Sequence, residues 1–314
     1  MDNLLERLSI LEKESRLLDL NEEERKITFS CFEKIASEFL NDLDDSNTYS
    51  TARSDASIFE IKEDSENLTD LSQTISSEVM QKGINAASGG HLGYIPGGGL
   101  YTSAIGDYLA AVSNAFSGMY FASPGAVEME HACLNWLKEL FEFPKSTIGN
   151  LTSGGSIANL IGLTAARDFH KILDQPVKES VVYMSKHTHH CVHKALRIIG
   201  LANVTVREID LDQSDRIRPN HLKELIEKDI QNNLNPFLVI ASAGTTDTGA
   251  VDPLDEIATV AEQNKLWYHI DAAYGGFFKL VDSKKSLFKG IGKADSLVID
   301  PHKGLFLPYG IGAV

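Results

Sequence analysis

The chain has 314 residues, with 29 Lys and Arg against 44 Asp and Glu, for a net charge of −15. At 43% hydrophobic and 23% charged residues it has the composition of a globular protein, which excludes collagen, coiled coil and wholesale disorder. An acidic chain without a Lys/Arg stripe repels a phosphate backbone, and no apolar run approaches the ~18 residues of a membrane span, so neither nucleic acid nor membrane is an expected partner.

The N-terminus, MDNLLERLSILEKESRLL, has no signal-peptide core and no Arg-rich transit character. Cys31, Cys133 and Cys191 are odd in number and form no CxxC, so a disulfide framework is not expected and a reduced, cytoplasmic protein is. The acidity is concentrated early: residues 1–70 hold 19 acids and 8 bases. Within them Leu4, Leu5, Leu8 and Leu11, then Ile27, Phe32, Ile35 and Phe39, recur at helical spacing, so residues 1–64 read as a helical, acidic N-terminal segment. The stretch Asp42–Ser57 reads as a linker.

From about residue 65 to 314 the pattern alternates. Helices are predicted over Leu68–Gln81, Val127–Phe141, Ser156–Leu173, Val192–Ile199, Pro219–Gln231 and Asp255–Asn264. Strands are predicted over Val181–Met184, Val204–Ile209, Phe237–Ser242, Leu266–Asp271 and Ser296–Asp300. Short β-rich runs separated by helices predict an α/β fold, a mainly parallel sheet with helices on both faces. Sites on such sheets gather at the C-terminal ends of the strands. The final LPYGIGAV runs into what reads as a further strand, so a fragment is expected.

Five segments carry chemistry. LTSGGSIANL (Leu151–Leu160) puts small residues at a helix start, where free N–H groups suit a phosphate or, more simply, a cap. SKHTHHCVHKAL (Ser185–Leu196) holds four histidines, readable as a metal cluster or as a source of one imidazole that stacks on an aromatic ligand. SAGTTDTGAVDPLDEIA (Ser242–Ala258) offers threonines at a strand end, or a polar turn. HIDAAYGG (His269–Gly276) ends an apolar strand on Asp271, a carboxylate in need of a partner such as a protonated ring nitrogen. IDPHKGLFLPYG (Ile299–Gly310) carries Lys303 in an apolar neighbourhood, which favours the neutral, nucleophilic amine of a Schiff-base lysine. A phosphate cradle, a stacking ring, a carboxylate for a pyridine nitrogen and a lysine 32 residues after it are the four demands of pyridoxal phosphate.

These segments, with GGHLGYIPGGGLYTSAIGDYLAA and SPGAVEMEHACLNWLKELFEFP upstream, resemble the pyridoxal-phosphate-dependent group II amino-acid decarboxylases from about Leu68 to Val314. The resemblance implies a fold type I large domain over residues 65–314, with the small C-terminal domain and the mobile catalytic loop absent. It implies Lys303 as the Schiff-base lysine, Asp271 on the ring nitrogen and His189 stacked on the ring. Gly155 and Ser156, helped by His302, are implied on the phosphate; Thr246 and Ala273 are implied beside the ring, and Tyr94, Ile95 and Pro96 in the substrate pocket. No metal is implied. Two positions depart from the common pattern: Asp300 stands where many members have Asn, and Gly304 where many have Trp. Both resemble bacterial and archaeal branches more than the animal aromatic enzymes, and a carboxylate beside a phosphate is repelled unless it turns away or is bridged. The implied function is decarboxylation of an L-amino acid to its amine and carbon dioxide by a homodimer. The alternatives are another fold type I pyridoxal enzyme (an aldehyde-releasing lyase or an aminotransferase) and an inactive fragment or dimerisation module.

Overall fold

The computed structural model describes residues 2–61, 63–93, 95 and 98–314. Contacts divide the chain into two units, residues 1–97 and 98–314.

In the first unit, α1 (Asp2–Ser15) and α2 (Glu22–Asn41) are long and exposed. A capping box starts α2: the Asn21 side chain accepts from the Glu24 N–H, and the Glu24 carboxylate accepts from the Asn21 N–H. The stretch expected to be a linker contains β1 (Tyr49–Ser50), which pairs antiparallel with β2 (Gly83–Ile84). The expected single helix over Leu68–Gln81 is α3 (Leu68–Thr74) followed by a π-helical turn, Ile75–Met80.

The second unit begins with α4 (Tyr101–Ser113), which the sequence reading left unassigned, and α5 (Pro124–Leu140). Then follow β3 (Leu151–Thr152), α6 (Gly155–Phe169), β4 (Ser180–Met184), α7 (Cys191–Ile198) and β5 (Thr205–Glu208). Next come α8 (Pro219–Gln231), β6 (Asn235–Ser242), α9 (Leu254–Gln263) and β7 (Trp267–Asp271). The last elements are β8 (Ser296–Val298), the single turn α10 (Pro301–Gly304) and β9 (Gly312–Ala313).

Five strands form one parallel sheet in the order β5-β4-β6-β7-β8. At its β8 side Ile299 bridges Ala313 antiparallel, and β9 in turn pairs antiparallel with β3. Alternation along the strands makes two cores. Val181, Tyr183, Val239, Ala241, Tyr268 and Ile270 pack with Leu222 and Ile226 of α8 and with Leu254 and Ile257 of α9. Val182, Met184, Leu238 and Ile240 pack on the other face with Leu163 and Ala166 of α6 and with Val192 and Leu196 of α7. The chain leaves β4 for β5 on one side and returns to place β6 on the other, so the order reverses next to β4. Such a reversal opens a crevice at the carboxyl ends of the strands.

Candidate active site

Every strand from β4 to β8 other than β5 delivers a candidate residue to that edge. His189 follows β4, Thr246 follows β6, Asp271 ends β7, and Asp300, His302 and Lys303 follow β8. The start of α6 completes the set. Gly154, with φ of 136°, holds a backbone conformation that side-chain-bearing residues rarely adopt, and the chain turns there from β3 into the helix. The first N–H groups of α6, those of Gly155 and Ser156, have no acceptor within the helix and carry its positive dipole end.

Gly155 lies where a side chain has no room. A Cβ there would stand 2.8 Å from Asp300 Oδ2 and 3.2 Å from the Ala273 Cβ. Asp300 is 1% exposed, and its Oδ2 lies 3.1 Å from Lys303 Nζ. Its Oδ1 is buried without a hydrogen-bond partner. Burial pushes the Asp300 carboxyl above the ordinary carboxylate range, and the Lys303 ammonium pulls it back. The apolar neighbourhood expected of Lys303 is therefore corrected: its nearest charged partner is a carboxylate one helical turn earlier. His302 is buried, its Nε2 3.9 Å from Asp300 Oδ2, and its ring edge faces the backbone of Gly154.

Asp271 is 8% exposed. Its Oδ1 accepts from the Ala273 N–H at 3.1 Å and its Oδ2 from Asn159 Nδ2 at 3.2 Å. His189 is half-buried; its Nδ1 accepts from the Cys191 N–H, and its ring lies 4.2 Å from that of His190. Burial, then the neighbouring His190, pushes its pKa below the ordinary histidine value, and it feels the charges of Asp271 and Lys303. The ring is thus kept neutral, as suits a face that covers a flat ligand. The Cys191 thiol meets the Ser156 side chain, and burial pushes it up to about 12, so it is a packing group rather than a nucleophile.

Gly155, Ala273, Asp271, Asp300, His302 and Lys303 come together in one packed cluster, with His189 and Ser156 at its border. Thr246 is exposed on the turn that leaves β6, at the same sheet edge. Ile95 belongs to the first unit, and Tyr94 and Pro96 lie outside the described residues. Sequence reasoning missed Asn159. It stands one helical turn beyond Gly155 and reaches Asp271 across 112 residues of chain. The signal was available in a polar residue set on the apolar face of α6. Among the described residues no three His, Cys, Asp or Glu side chains converge as metal ligands do.

The sequence matches the family described as the pyridoxal-dependent decarboxylase conserved domain over residues 51–314. An aromatic-L-amino-acid decarboxylase of Bacillus atrophaeus is 40% identical over 223 residues, which covers 71% of this chain and 46% of that protein. Tryptophan decarboxylase 2 of Oryza sativa subsp. japonica is 30% identical over 246 residues, 75% of this chain and 50% of that one. The crystal structure of Oryza sativa TDC with PLP and tryptamine superposes with a TM-score of 0.85 at 25% identity, covering 94% of this chain and 67% of that one. The chain spans about half the length of the curated relatives it matches. The motifs at the strand ends, the parallel sheet that carries them and the match over most of the chain agree, and the chain belongs to the pyridoxal-dependent decarboxylases.

Proposed function

We propose that this chain carries the cofactor site of a pyridoxal-phosphate-dependent decarboxylase acting on an aromatic L-amino acid. The observation that supports this most is the meeting of Lys303, Asp300, Gly155, Ala273 and Asp271 at one edge of a parallel sheet. The 40% identity to an aromatic-L-amino-acid decarboxylase supports the substrate class. The residues fit the cofactor on three counts. The start of α6 leaves N–H groups free beside a glycine at which any Cβ would crowd the Asp300 carboxylate and the Ala273 Cβ. Asp271 keeps a buried carboxylate at the strand end, and Lys303 keeps its amine within the same cluster.

In this reading Gly155 and Ser156, with His302, hold the phosphate, and Asp271 holds the ring nitrogen as an N–H. His189 covers one ring face, while Ala273 and Thr246 flank the other face and the ring substituents. Lys303 binds the aldehyde. Bound pyridoxal phosphate supplies an electron sink, into which the bond between the substrate's α-carbon and its carboxylate can break. Asp271 contributes a fixed negative charge facing a ring N–H, so the electron-poor form of that ring is the one the site stabilises. Asp300 contributes a counter-charge that holds the Lys303 amine over the cradle before the cofactor arrives. The neutral His189 ring excludes water from one face.

A homodimer acting in the cytoplasm completes the proposal. The exposed Leu4, Leu5, Leu8, Leu11 and Ile27 of α1 and α2 support association with a second copy. Among the described residues no helix is long and apolar enough to cross a membrane.

The test is an absorption spectrum after addition of pyridoxal phosphate, then borohydride reduction and peptide mapping. A visible band with the reduced label on Lys303, abolished in Lys303→Ala, is expected. A reducible label retained in Lys303→Ala sinks the assignment. With aromatic L-amino acids the expected products are carbon dioxide and the amine; a keto acid or an aldehyde points to a different bond or outcome.

A further inference from the structure

The carboxylate of Asp271 is the inner end of a polar chain that runs back along one face of the sheet, beside α6 and away from the site. Asn159 Nδ2 donates to Asp271 Oδ2 at 3.2 Å and to the Gly155 carbonyl at 2.9 Å. Asn159 Oδ1 lies 2.9 Å from His269 Nε2, and His269 Nδ1 lies 2.7 Å from Ser296 Oγ. Trp267 Nε1 donates to that same Ser296 Oγ at 2.8 Å. Local geometry dictates the layout. Trp267, His269 and Asp271 alternate onto one face of β7, Ser296 is the register partner of His269 on β8, and Asn159 sits on the buried stripe of α6.

The chemistry of the two ends fixes the direction of every bond between them. An indole N–H only donates, and a carboxylate only accepts. Turning the Asn159 amide over would set its oxygen against both the Asp271 carboxylate and the Gly155 carbonyl, two acceptor–acceptor contacts. Asn159 therefore gives N–H to Asp271 and presents its oxygen to His269. His269 must then carry its proton on Nε2, and its bare Nδ1 accepts the Ser296 hydroxyl, which itself accepts from Trp267. The imidazole is fully buried, and burial pushes its pKa down to about 4, so it stays neutral as this pattern requires. Room for the ring is made by Gly162, two helical turns from Gly155: a Cβ there would stand 2.8 Å from His269 Cε1 and 3.0 Å from Nδ1.

We propose that Trp267, Ser296, His269 and Asn159 form a one-way chain of hydrogen-bond donors that positions the Asp271 carboxylate for the cofactor's ring nitrogen, with Gly162 as the space that admits the imidazole. The chain rests on the functional reading above and extends it to residues that touch no ligand. With both oxygens already receiving N–H donors, from Asn159 and from Ala273, the carboxylate cannot rotate without losing a buried bond. Its remaining lone pairs then point in one fixed set of directions. Buried polar chains of this kind are worth most when every member is satisfied, and here each has its partner. Ser296 is the weakest link: it is only half-buried, and the loss of its hydroxyl leaves the buried His269 Nδ1 without a donor and Trp267 Nε1 without an acceptor.

Nitrogen-15 NMR of the histidine side chains tests the chain without any cofactor, the His269 signals being assigned by their loss in His269→Gln. A neutral ring with its proton on Nε2 between pH 5.5 and 8 is expected; a proton on Nδ1, or an imidazolium at pH 7, overturns the proposal. Pyridoxal phosphate is then titrated into wild type, Ser296→Ala, Ser296→Thr and Gly162→Ala, with the dissociation constant read from absorbance. Ser296→Ala and Gly162→Ala should each weaken binding about tenfold, the equivalent of about 1.4 kcal/mol. Ser296→Thr, which keeps the hydroxyl, should stay within about twofold, and in Ser296→Ala the loss should come with a shifted His269 Nδ1 resonance, as that nitrogen loses its donor, while the proton stays on Nε2. Should Gly162→Ala not fold, the Ser296 pair still decides. Unchanged affinity in Ser296→Ala overturns the chain alone. Wild-type protein that takes up no pyridoxal phosphate overturns the functional reading and the cofactor role of the chain together, whatever the His269 spectrum shows.

Discussion

The two units treat the same kinds of residue in opposite ways. In the first, α2 has no buried residue, and Leu8 and Ile27 are 52% and 57% exposed. In the second, Leu163, Val182, Leu238 and Ile240 are fully buried between α6, α7 and the sheet. The carboxylates differ in part. Asp55, at the surface, sits below its ordinary range because the Ser57 N–H bonds it, and the half-buried Glu78 because Lys82 does. The second unit has such pairs too, with Asp212 lowered by Arg216 and Asp255 by Lys293, but it also has carboxylates that burial raises: Asp252 is pushed up to about 6 and Asp300 above its ordinary range. The first unit is thus held by caps, short-range pairs and a few polar contacts such as the β1–β2 ladder, while the second draws its stability from a core that its polar groups must enter at a cost.

The largest effect expected from this contrast is in the core under the candidate site. Leu163→Ala removes a side chain packed between α6 and the sheet, and should destabilise the second unit by about 2–5 kcal/mol. The change is read as a lowered urea midpoint with an unchanged slope. Leu8→Ala in α1, at a site already in water, should move that midpoint by less than about 0.5 kcal/mol. Equal losses at the two positions would erase the distinction between the units.

Asp300 sharpens the comparison through pH. Its folded-state pKa is raised above the unfolded value near 4, so the folded state holds the proton more tightly. The stabilisation this brings is fully present below pH ~4 and is lost as pH rises through the folded value. Asp300→Asn cannot titrate. The stability of wild type minus that of Asp300→Asn should therefore fall as pH is raised from 4 towards 7, whatever offset the lost Lys303 pairing adds. Thermal unfolding of the two proteins across that range measures it, and a difference that grows with pH would reverse the sign assigned to Asp300.

What could be read in advance followed the range of the forces involved. The Pro219–Gln231 helix was legible because Pro219 marks its start and Leu222 and Ile226 mark its buried face. Strands β4, β6, β7 and β8 were legible because each is a short, largely apolar run bounded by turns, and the edge strand β5 because its β-branched residues alternate with polar ones. The helix α4 was missed although Tyr101, Ile105, Tyr108, Leu109 and Val112 recur at helical spacing; its apolar stripe is there in the sequence but none of it is buried. Two-residue ladders such as β3 with β9 leave no periodicity at all. At the site, the motif residues stood out singly, but the pairing of Asn159 with Asp271 depends on which face of α6 meets β7. The contact of Asp300 with Gly155 depends likewise on the fold bringing β8 beside the start of α6. Only packing decides such contacts between distant segments.

The smallest expected effect lies in the first unit and concerns one helix start. Asn21 and Glu24 each satisfy the other's backbone N–H at the beginning of α2, and Glu22, Glu23 and Glu24 add negative charge at the positive end of the helix dipole. Asn21→Ala removes one half of the box and should cost α2 about 1 kcal/mol. Because α2 has no fully buried residue, and its half-buried Phe32, Ile35 and Phe39 lie beyond the first turns, that loss has no core at the helix start through which to spread. Amide hydrogen exchange should therefore quicken about fivefold in the first turns of α2, while the urea transition of the second unit stays where it was. A cap change that did shift the second transition would show that the two units unfold as one, and the local account of α2 would fall with it.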